Sequence, residues 1–356
     1  MFTSKRVFDK FSVDVSSDSS VFEKDALTSY SVLAENARAF AGSLTDALPW
    51  ILAVIVVILV ILLVLFPDRL VRLSSEHSAK KLLKAERFDA AYLNTSCGSF
   101  GLFRDAQIGR IISKHKIPLV TQYHCEIPHW VHSKASRWCL GRLAAISKQN
   151  LVLCRKSEAF LREQYGQDPI NVPNFVDMST VLTEDKHIAP KITNICFVGR
   201  VSEKKGAAEL FAVAQQLPES TFTLIGHVSN GVLAWEKPAN VLLLGSMSND
   251  QVIKQLDQAD VFLFPSHTEG CSMALMEAMA RGLPCVATDV GANRDMLAGK
   301  CGVIVPKHDV DAMLTAIRSL EDPKRREEMS RQAVETVKES YTERNVDKII
   351  SMINNI

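Results

Sequence analysis

Residues 265–290 read PSHTEGCSMALMEAMARGLPCVATDV, and this stretch indicates the fold class. It follows an apolar run, DVFLFP, passes through a short polar loop and a helix-like segment, and ends in a second apolar run, PCVATD. The runs NICFVG, TFTLIG, NVLLLG and GVIVP stand in similar surroundings nearby. Non-alternating apolar strands joined by helices predict an α/β fold with parallel sheets covered on both faces.

A weaker version of the same pattern lies earlier in the chain, in the runs DAAYLN, IPLVTQY, NLVLC and INVPN. The segment 171–191, which contains Pro and Asn, separates the two regions and predicts a linker between two Rossmann-like domains facing a cleft. We expect an incomplete N-terminal domain over 67–180 and a C-terminal domain over 181–356. Because such sheets bind ligands at the carboxyl ends of their strands, the residues directly after each strand are the candidate site residues.

The composition limits the classes of partner and the redox compartment. A net charge of +1 over 356 residues gives no electrostatic reason to expect a nucleic-acid partner. The eight cysteines form no C-x-x-C pair, and several lie inside apolar runs. They are typical of buried thiols in a reducing compartment rather than of a disulfide or zinc framework.

One segment differs from this soluble pattern. Trp50–Phe66 reads WILAVIVVILVILLVLF, which as a helix would be about 26 Å long, close to the thickness of a bilayer core. We predict a membrane helix over 48–66, with a buried core helix as the alternative, after an N-terminal segment over 1–47. Residues 67–87 hold six Lys or Arg against three acids, which predicts a membrane-associated protein whose larger C-terminal part faces the cytoplasm.

The loop GRVSEKKG, at 199–206, provides the first candidate ligand chemistry. It places Arg200 and Lys205 between two glycines, at a turn from a strand into a helix. Two cations beside a helix N-terminus suit a phosphate or diphosphate, although a basic surface loop is the common alternative.

The stretch 265–290 provides the second candidate ligand chemistry. Ser272 is a candidate N-cap for a helix that begins near Met273, and the next free amides could bind an anion. Glu269 precedes this helix and Glu277 lies within it, where carboxylates can accept hydrogen bonds from vicinal hydroxyls of a ribose or a sugar ring. The alternative is a loop charge at position 269 and a salt-bridged helix residue at position 277. The free amides that could bind an anion are those of Met273, Ala274 and Leu275.

These motifs together resemble the retaining glycosyltransferases of family 4, which have the GT-B fold. The resemblance covers about 88–356 and rests on FVGRVSEKKG, on FPSHTEGCSMALMEAMARGLPCVATDVGANRDML and on INVPNFVD. It implies that Arg200 and Lys205 bind the diphosphate of a nucleotide-sugar, that Glu277 binds its ribose and that Glu269 binds the transferred sugar. It also implies transfer with retained configuration and without a metal or other cofactor, the leaving phosphate accepting the proton.

The resemblance further suggests His124, in TQYHCEIPHWVH after a predicted strand, as a catalytic residue near the sugar and the acceptor. A metal site in this segment is the less favoured interpretation, because the spacing matches none of the familiar zinc patterns. The potential ligands there are His124, Cys125, Glu126, His129 and His132.

The start of the chain departs from the family pattern, because it lacks the Gly-rich loop that helps to hold the acceptor. Residues 11–17 could still supply a strand of the first sheet, or 1–47 could lie across the membrane. We expect a glycosyltransferase that acts on a lipid-linked or polysaccharide acceptor at a membrane. The alternatives are a non-catalytic nucleotide-sugar-binding subunit that activates a partner subunit, and a membrane scaffold with a relict fold.

Overall fold

The computed structural model of the protein describes residues 79–83 and 87–356. The predicted helix over 48–66 and the segment 1–47 lie outside the described residues. None of the helices in the described ranges combines the length and apolar character that a membrane crossing requires.

Ten strands are present in the described part of the chain, and every apolar run predicted as a strand forms one. The strands are β1 Ala91–Thr95, β2 Leu119–Tyr123, β3 Gln149–Val152, β4 Ile170–Asn171, β5 Asn194–Val198, β6 Thr221–Ile225, β7 Val241–Gly245, β8 Val261–Phe264, β9 Cys285–Thr288 and β10 Gly302–Val305. They form one sheet of order β1-β2-β3-β4 and another of order β10-β9-β8-β5-β6-β7. All five neighbouring pairs of the larger sheet are parallel, as predicted.

Helices lie between these strands, and three more follow the last strand. They are α1 Ser99–Lys114, α2 Ile127–Trp130, α3 Lys134–Ile146, α4 Arg155–Tyr165, α5 Ala207–Gln216, α6 Asn230–Leu233, α7 Asn249–Gln258, α8 Met273–Ala280, α9 Asn293–Leu297, α10 Val310–Arg318, α11 Pro323–Ser340 and α12 Arg344–Asn354. Two 3₁₀ turns, Met178–Thr180 and Glu203–Lys205, complete the regular structure.

The chain divides into two compact units. The first ends at Gln122 and resumes over Ser133–Gln149, and the second consists of Tyr123–His132 and Asn150–Ile356. In the first unit α1 packs against α3, and both contribute fully buried leucines. The second unit holds the six-stranded sheet and all the candidate site residues.

Aromatic side chains fill the centre of the six-stranded sheet. Phe264 stacks on Phe197 with ring centroids 5.9 Å apart and on Phe262 at 5.7 Å, and all three rings are buried. β5 and β8, which carry these residues, are adjacent in the sheet although β6 and β7 lie between them in sequence. The strand order therefore reverses between β5 and β8, which is the arrangement in which α/β sheets bind ligands at the carboxyl ends of the strands.

Candidate functional site

The loops that follow β5 and β8 meet at this reversal of strand order. Lys205, in the loop after β5, places its Nζ 2.5 Å from Oε1 of Glu269, in the loop after β8. Only 11% of the Glu269 side chain is exposed, against 31% of the Lys205 side chain. Two predicted site residues that are 64 positions apart in sequence thus form a direct ion pair.

Arg200 lies in the same loop as Lys205 but has different surroundings. Its side chain is exposed, and it forms no ion pair with another residue of 79–83 or 87–356. The backbone around it is fixed, because the amide of Val201 donates to the His227 carbonyl at 2.9 Å and the amide of Ser229 donates to the Val201 carbonyl at 3.0 Å. The guanidinium is therefore available to an anionic ligand on a rigid support.

Gly206 allows the two loops to approach. Its φ of +80° lies in the left-handed region, and a Cβ at this position would lie 2.3 Å from the carbonyl oxygen of Pro265. Any other residue would have to adopt an unfavourable backbone conformation and displace the start of the loop after β8. The glycine predicted to allow a tight turn therefore also sets the distance between Lys205 and Glu269.

Helix α8 begins as predicted, with Ser272 as its N-cap. The Ser272 side chain accepts a hydrogen bond from the amide of Leu275 at 3.2 Å. The expectation of a free amide at Leu275 is therefore wrong, because the cap itself uses that amide. Met273 and Ala274 occupy the first two helical positions, whose amides have no partner within the helix, and they can still donate to an anion.

Glu277 is half-buried on α8, and burial raises the pKa of its carboxyl group above the ordinary glutamate value. It forms no ion pair with any residue in the described ranges, so the salt-bridged alternative does not apply there. A half-buried carboxyl group with a raised pKa and no opposite charge is typical of ligand-binding positions.

His124 lies in the second unit, at the start of the segment after β2. Its side chain is exposed, and its carbonyl oxygen would lie 2.9 Å from a Cβ placed on Gly270, the neighbour of Glu269. The structure thus brings His124 next to the loop after β8. The group that approaches the backbone of Gly270 is the chain's own carbonyl.

Two contacts that the sequence did not predict hold this region in place. The carboxylate of Glu126 accepts a hydrogen bond from the amide of Gly291 at 2.6 Å, which attaches the segment after β2 to the loop after β9. Asn174, from the motif INVPNFVD, donates its side-chain amide to the Cys271 carbonyl at 2.9 Å. Both contacts support the loop that carries Glu269.

One group of potential metal ligands lies close together in the described ranges, and it differs from the set considered on sequence grounds. It consists of Glu209 on α5, His267 after β8 and His308 after β10. Oε1 of Glu209 lies 2.9 Å from Nε2 of His267 and 2.8 Å from Nδ1 of His308. Burial raises the pKa of Glu209, but hydrogen bonds from its own amide and from the two histidines outweigh burial and hold the pKa below its ordinary value.

A sheet with this strand order, two cations and one carboxylate in the loops at the reversal point, and beside them a capped helix with a second carboxylate are the features by which α/β proteins bind phosphorylated ligands. Two family models match the chain: that of the glycosyl transferases group 1 over 182–336, and that of glycosyltransferase family 4 over 31–180. The chain belongs to the glycosyltransferases that these two models describe, as its motifs predicted.

Named relatives are similar over most of the chain. The sulfoquinovosyl transferase SQD2 of Arabidopsis thaliana is 24% identical over 302 residues, which cover 76% of this chain and 58% of the plant protein. An Escherichia coli enzyme, UDP-Gal:alpha-D-GlcNAc-diphosphoundecaprenol alpha-1,3-galactosyltransferase, is 25% identical over 292 residues, or 69% of this chain and 70% of that enzyme. The chain therefore spans somewhat more than half of the plant relative and just over two thirds of the bacterial one.

Solved structures show the same architecture. HepE of Anabaena, crystallised with UDP, superimposes with a TM-score of 0.65 at 16% identity, covering 80% of this chain and 82% of HepE. The protein thus has the GT-B-like α/β fold with parallel sheets that the sequence predicted.

Proposed function

We propose that this glycosyltransferase moves a sugar from a nucleoside-diphosphate sugar to a lipid-linked or polysaccharide acceptor, with retention of anomeric configuration. The observation that carries the proposal is the meeting of Lys205, Glu269 and the start of α8 where the strand order reverses. Cations, free amides and partly buried carboxylates together match a ligand that has a diphosphate in its middle and vicinal hydroxyls on either side of it.

In this proposal, Arg200 and Lys205 bind the diphosphate, and the amides of Met273 and Ala274 add hydrogen bonds to it. Charge develops on the leaving diphosphate in the transition state, so positioned cations and amides stabilise that state more than the ground state. No metal and no other cofactor takes part in the transfer. The leaving phosphate oxygen accepts the acceptor's proton on the same face of the sugar.

The carboxylates bind hydroxyl groups. Glu277 accepts hydrogen bonds from the ribose, and Glu269 accepts them from the transferred sugar, close to His124 on the acceptor side. Glu269 forms its ion pair with Lys205. An incoming diphosphate competes for that lysine, which leaves Glu269 able to accept hydrogen bonds from the sugar.

Two further observations support the proposed acceptor and the proposed location. The name of the E. coli relative states a diphosphoundecaprenol acceptor, and Trp50–Phe66 of this chain is uninterrupted apolar sequence. A membrane helix over 48–66 would keep a site in 88–356 close to an amphipathic acceptor, with the catalytic part facing the cytoplasm.

The test is a thermal-shift and calorimetry panel of UDP-, GDP-, ADP- and CDP-sugars on the full chain. A sugar donor at about 100 times its dissociation constant adds about 2.7 kcal/mol of stability, a shift of several degrees. We expect a shift with the sugar donors of one base in the wild type, and loss of that shift in Arg200→Ala and Glu277→Ala. Lys204→Ala removes an exposed lysine from the same turn and serves as the control, which keeps the shift.

A second measurement follows nucleoside-diphosphate release and the anomeric configuration of the product by NMR. Retained configuration in the presence of EDTA is the expected result. Binding of the sugar donor without release, with a lipid-linked acceptor present, would instead favour a subunit that needs a partner for transfer. Absence of a shift with every nucleotide would refute the proposal.

A further inference from the structure

Three side chains from separate parts of the second unit converge beside the loop after β8. Glu209 comes from the first turns of α5, His267 from the loop between β8 and α8, and His308 from the loop between β10 and α10. One nitrogen of each imidazole lies within 2.9 Å of the same carboxylate oxygen, and the ring centroids are 4.1 Å apart. The three ligand atoms all lie within 4.8 Å of one another.

The Glu209 carboxylate, at the centre of this cluster, has one oxygen that can accept a further interaction. Only 8% of the Glu209 side chain is exposed, and its second oxygen, Oε2, is buried without a hydrogen-bond partner in the described part of the chain. Buried carboxylate oxygens normally have a partner, because leaving one without a partner is unfavourable. A cation bound between the three side chains would compensate the charge of this carboxylate and give Oε2 a partner.

His308 has an unusual backbone conformation and an exposed side chain. Its φ of +61° lies in the left-handed region, which a residue with a Cβ adopts only at a cost in free energy. Its side chain is 61% exposed, so an ion from solvent can reach the cluster from this side.

We propose that Glu209, His267 and His308 bind one divalent transition-metal ion of the zinc type, with the fourth position open to solvent or to an exogenous ligand. Two imidazoles and one carboxylate are ligands that Zn²⁺ accepts in a tetrahedral site. In such a site the ligand atoms lie about 3.3 Å apart, so each N···O distance opens by roughly half an ångström on binding. The metal binds the lone pairs of Nε2 of His267 and Nδ1 of His308, so the proton that each of these nitrogens donates to Glu209 leaves it on binding, either to the other ring nitrogen by way of water or to solvent.

The position of the site suggests what the ion does. The amide of His267 donates to the carbonyl of Lys204 at 3.0 Å, and His267 lies two residues before Glu269. A metal on His267 would therefore link α5 and the loop after β10 to the segment that holds Lys205 and Glu269. It would act as a structural clamp on the loop and would not take part in sugar transfer, so this proposal does not depend on the identity of the sugar donor or acceptor.

The test uses the full chain after treatment with EDTA and dialysis, and the probes are Co²⁺ and Zn²⁺ alone. Tetrahedral Co²⁺ gives visible absorption bands, and Zn²⁺ affinity is measured by competition with a chromogenic chelator. We expect one bound ion per chain and a rise of several degrees in Tm with Zn²⁺. Affinity should fall by roughly 100-fold or more in Glu209→Gln and in His308→Ala.

His187→Ala removes an exposed histidine outside the cluster and is the matched control, which keeps the wild-type affinity. The double variant His129→Ala/His132→Ala tests the segment after β2. Loss of binding in that double variant, or equal affinity in wild type and His308→Ala, would overturn the proposal. Because His308 is largely exposed, His308→Ala is expected to fold and decides the question even if Glu209→Gln does not fold.

Discussion

The contribution of the Lys205–Glu269 ion pair to the free energy of unfolding gives a quantitative test of the site's architecture. Exposed ion pairs contribute about 0.2–1 kcal/mol, whereas removing one partner of a buried pair costs about 3–5 kcal/mol. With 11% of Glu269 and 31% of Lys205 exposed, this pair lies between the two cases. Lys205→Met leaves a largely buried carboxylate without its cation, and we expect a loss of about 2–3 kcal/mol of unfolding free energy.

Removing the acidic partner instead of the lysine is expected to cost less unfolding free energy. In Glu269→Gln the lysine can turn toward water, so we expect a loss of about 1 kcal/mol. The double variant removes both charges and should be about as stable as Glu269→Gln alone. The coupling energy then equals the loss in Lys205→Met, about 2–3 kcal/mol in magnitude. It is measured by urea unfolding and by Tm, where Lys205→Met should lie roughly 5–10 °C below wild type.

A matched control is the exposed pair Glu327 and Arg331, one helical turn apart on α11, where the same cycle should give less than about 0.5 kcal/mol. Independent, additive effects of Lys205→Met and Glu269→Gln would refute this account of the site. Both Lys205→Met and the double variant should bind a nucleoside-diphosphate sugar roughly 10- to 150-fold more weakly, because each has lost a charge-assisted hydrogen bond of about 1.5–3 kcal/mol. The double variant should therefore be more stable than Lys205→Met but should bind the sugar donor no better.

Three further predictions follow from single positions. The raised pKa of Glu277 means that ionising this carboxyl group destabilises the folded protein, so stability falls as pH rises from the ordinary glutamate value of 4.5 through the folded pKa. Glu277→Gln should therefore have the higher Tm at neutral pH but not at low pH, while the affinity of wild type for a sugar donor rises with pH over the same window. A Glu277→Gln variant no more stable than wild type at pH 7 would contradict this. Gly206→Ala should lose at least about 2 kcal/mol of stability through its positive φ and its contact with Pro265, whereas Gly231→Ala, which has open space around it, should be neutral in chemical denaturation. Arg326→Met should lose about 3 kcal/mol or more of stability, because the buried guanidinium donates to the carbonyls of Ala189, Leu320 and Glu321. The control is Arg325→Met, which changes the exposed neighbour. Equal Tm values for the two variants would exclude this role of Arg326.

The strands and the cap of α8 could be predicted because their signals are local. Apolar runs such as NICFV and the Ser272 position before a helical segment depend on a few neighbouring residues, and the structure has both. The Lys205–Glu269 contact could not be predicted as a distance, because it depends on β8 lying next to β5, and strand order is a property of the whole sheet. The sequence assigned Lys205 and Glu269 to one candidate site but did not predict that these two residues neutralise each other.

The same limit explains the cluster of Glu209, His267 and His308. No short spacing connects these residues, since they lie up to 99 positions apart, so a search for familiar zinc patterns does not find them. A usable signal was nevertheless present: His267 and His308 both follow strands, where ligand-binding residues of parallel sheets are expected. Applying that rule to the loop after β10 as well as to the loops after β5 and β8 would have identified His308.

The adjacency of β5 and β8 also has a consequence for folding. β5 pairs with β8 although β6 and β7 lie between them in sequence, so the two halves of the site meet only through a long-range contact in the middle of the sheet. A ligand that contacts both loops binds the chain only when this pairing is complete. Nucleotide binding during refolding would therefore report the time at which the centre of the sheet closes, separately from the earlier formation of helices.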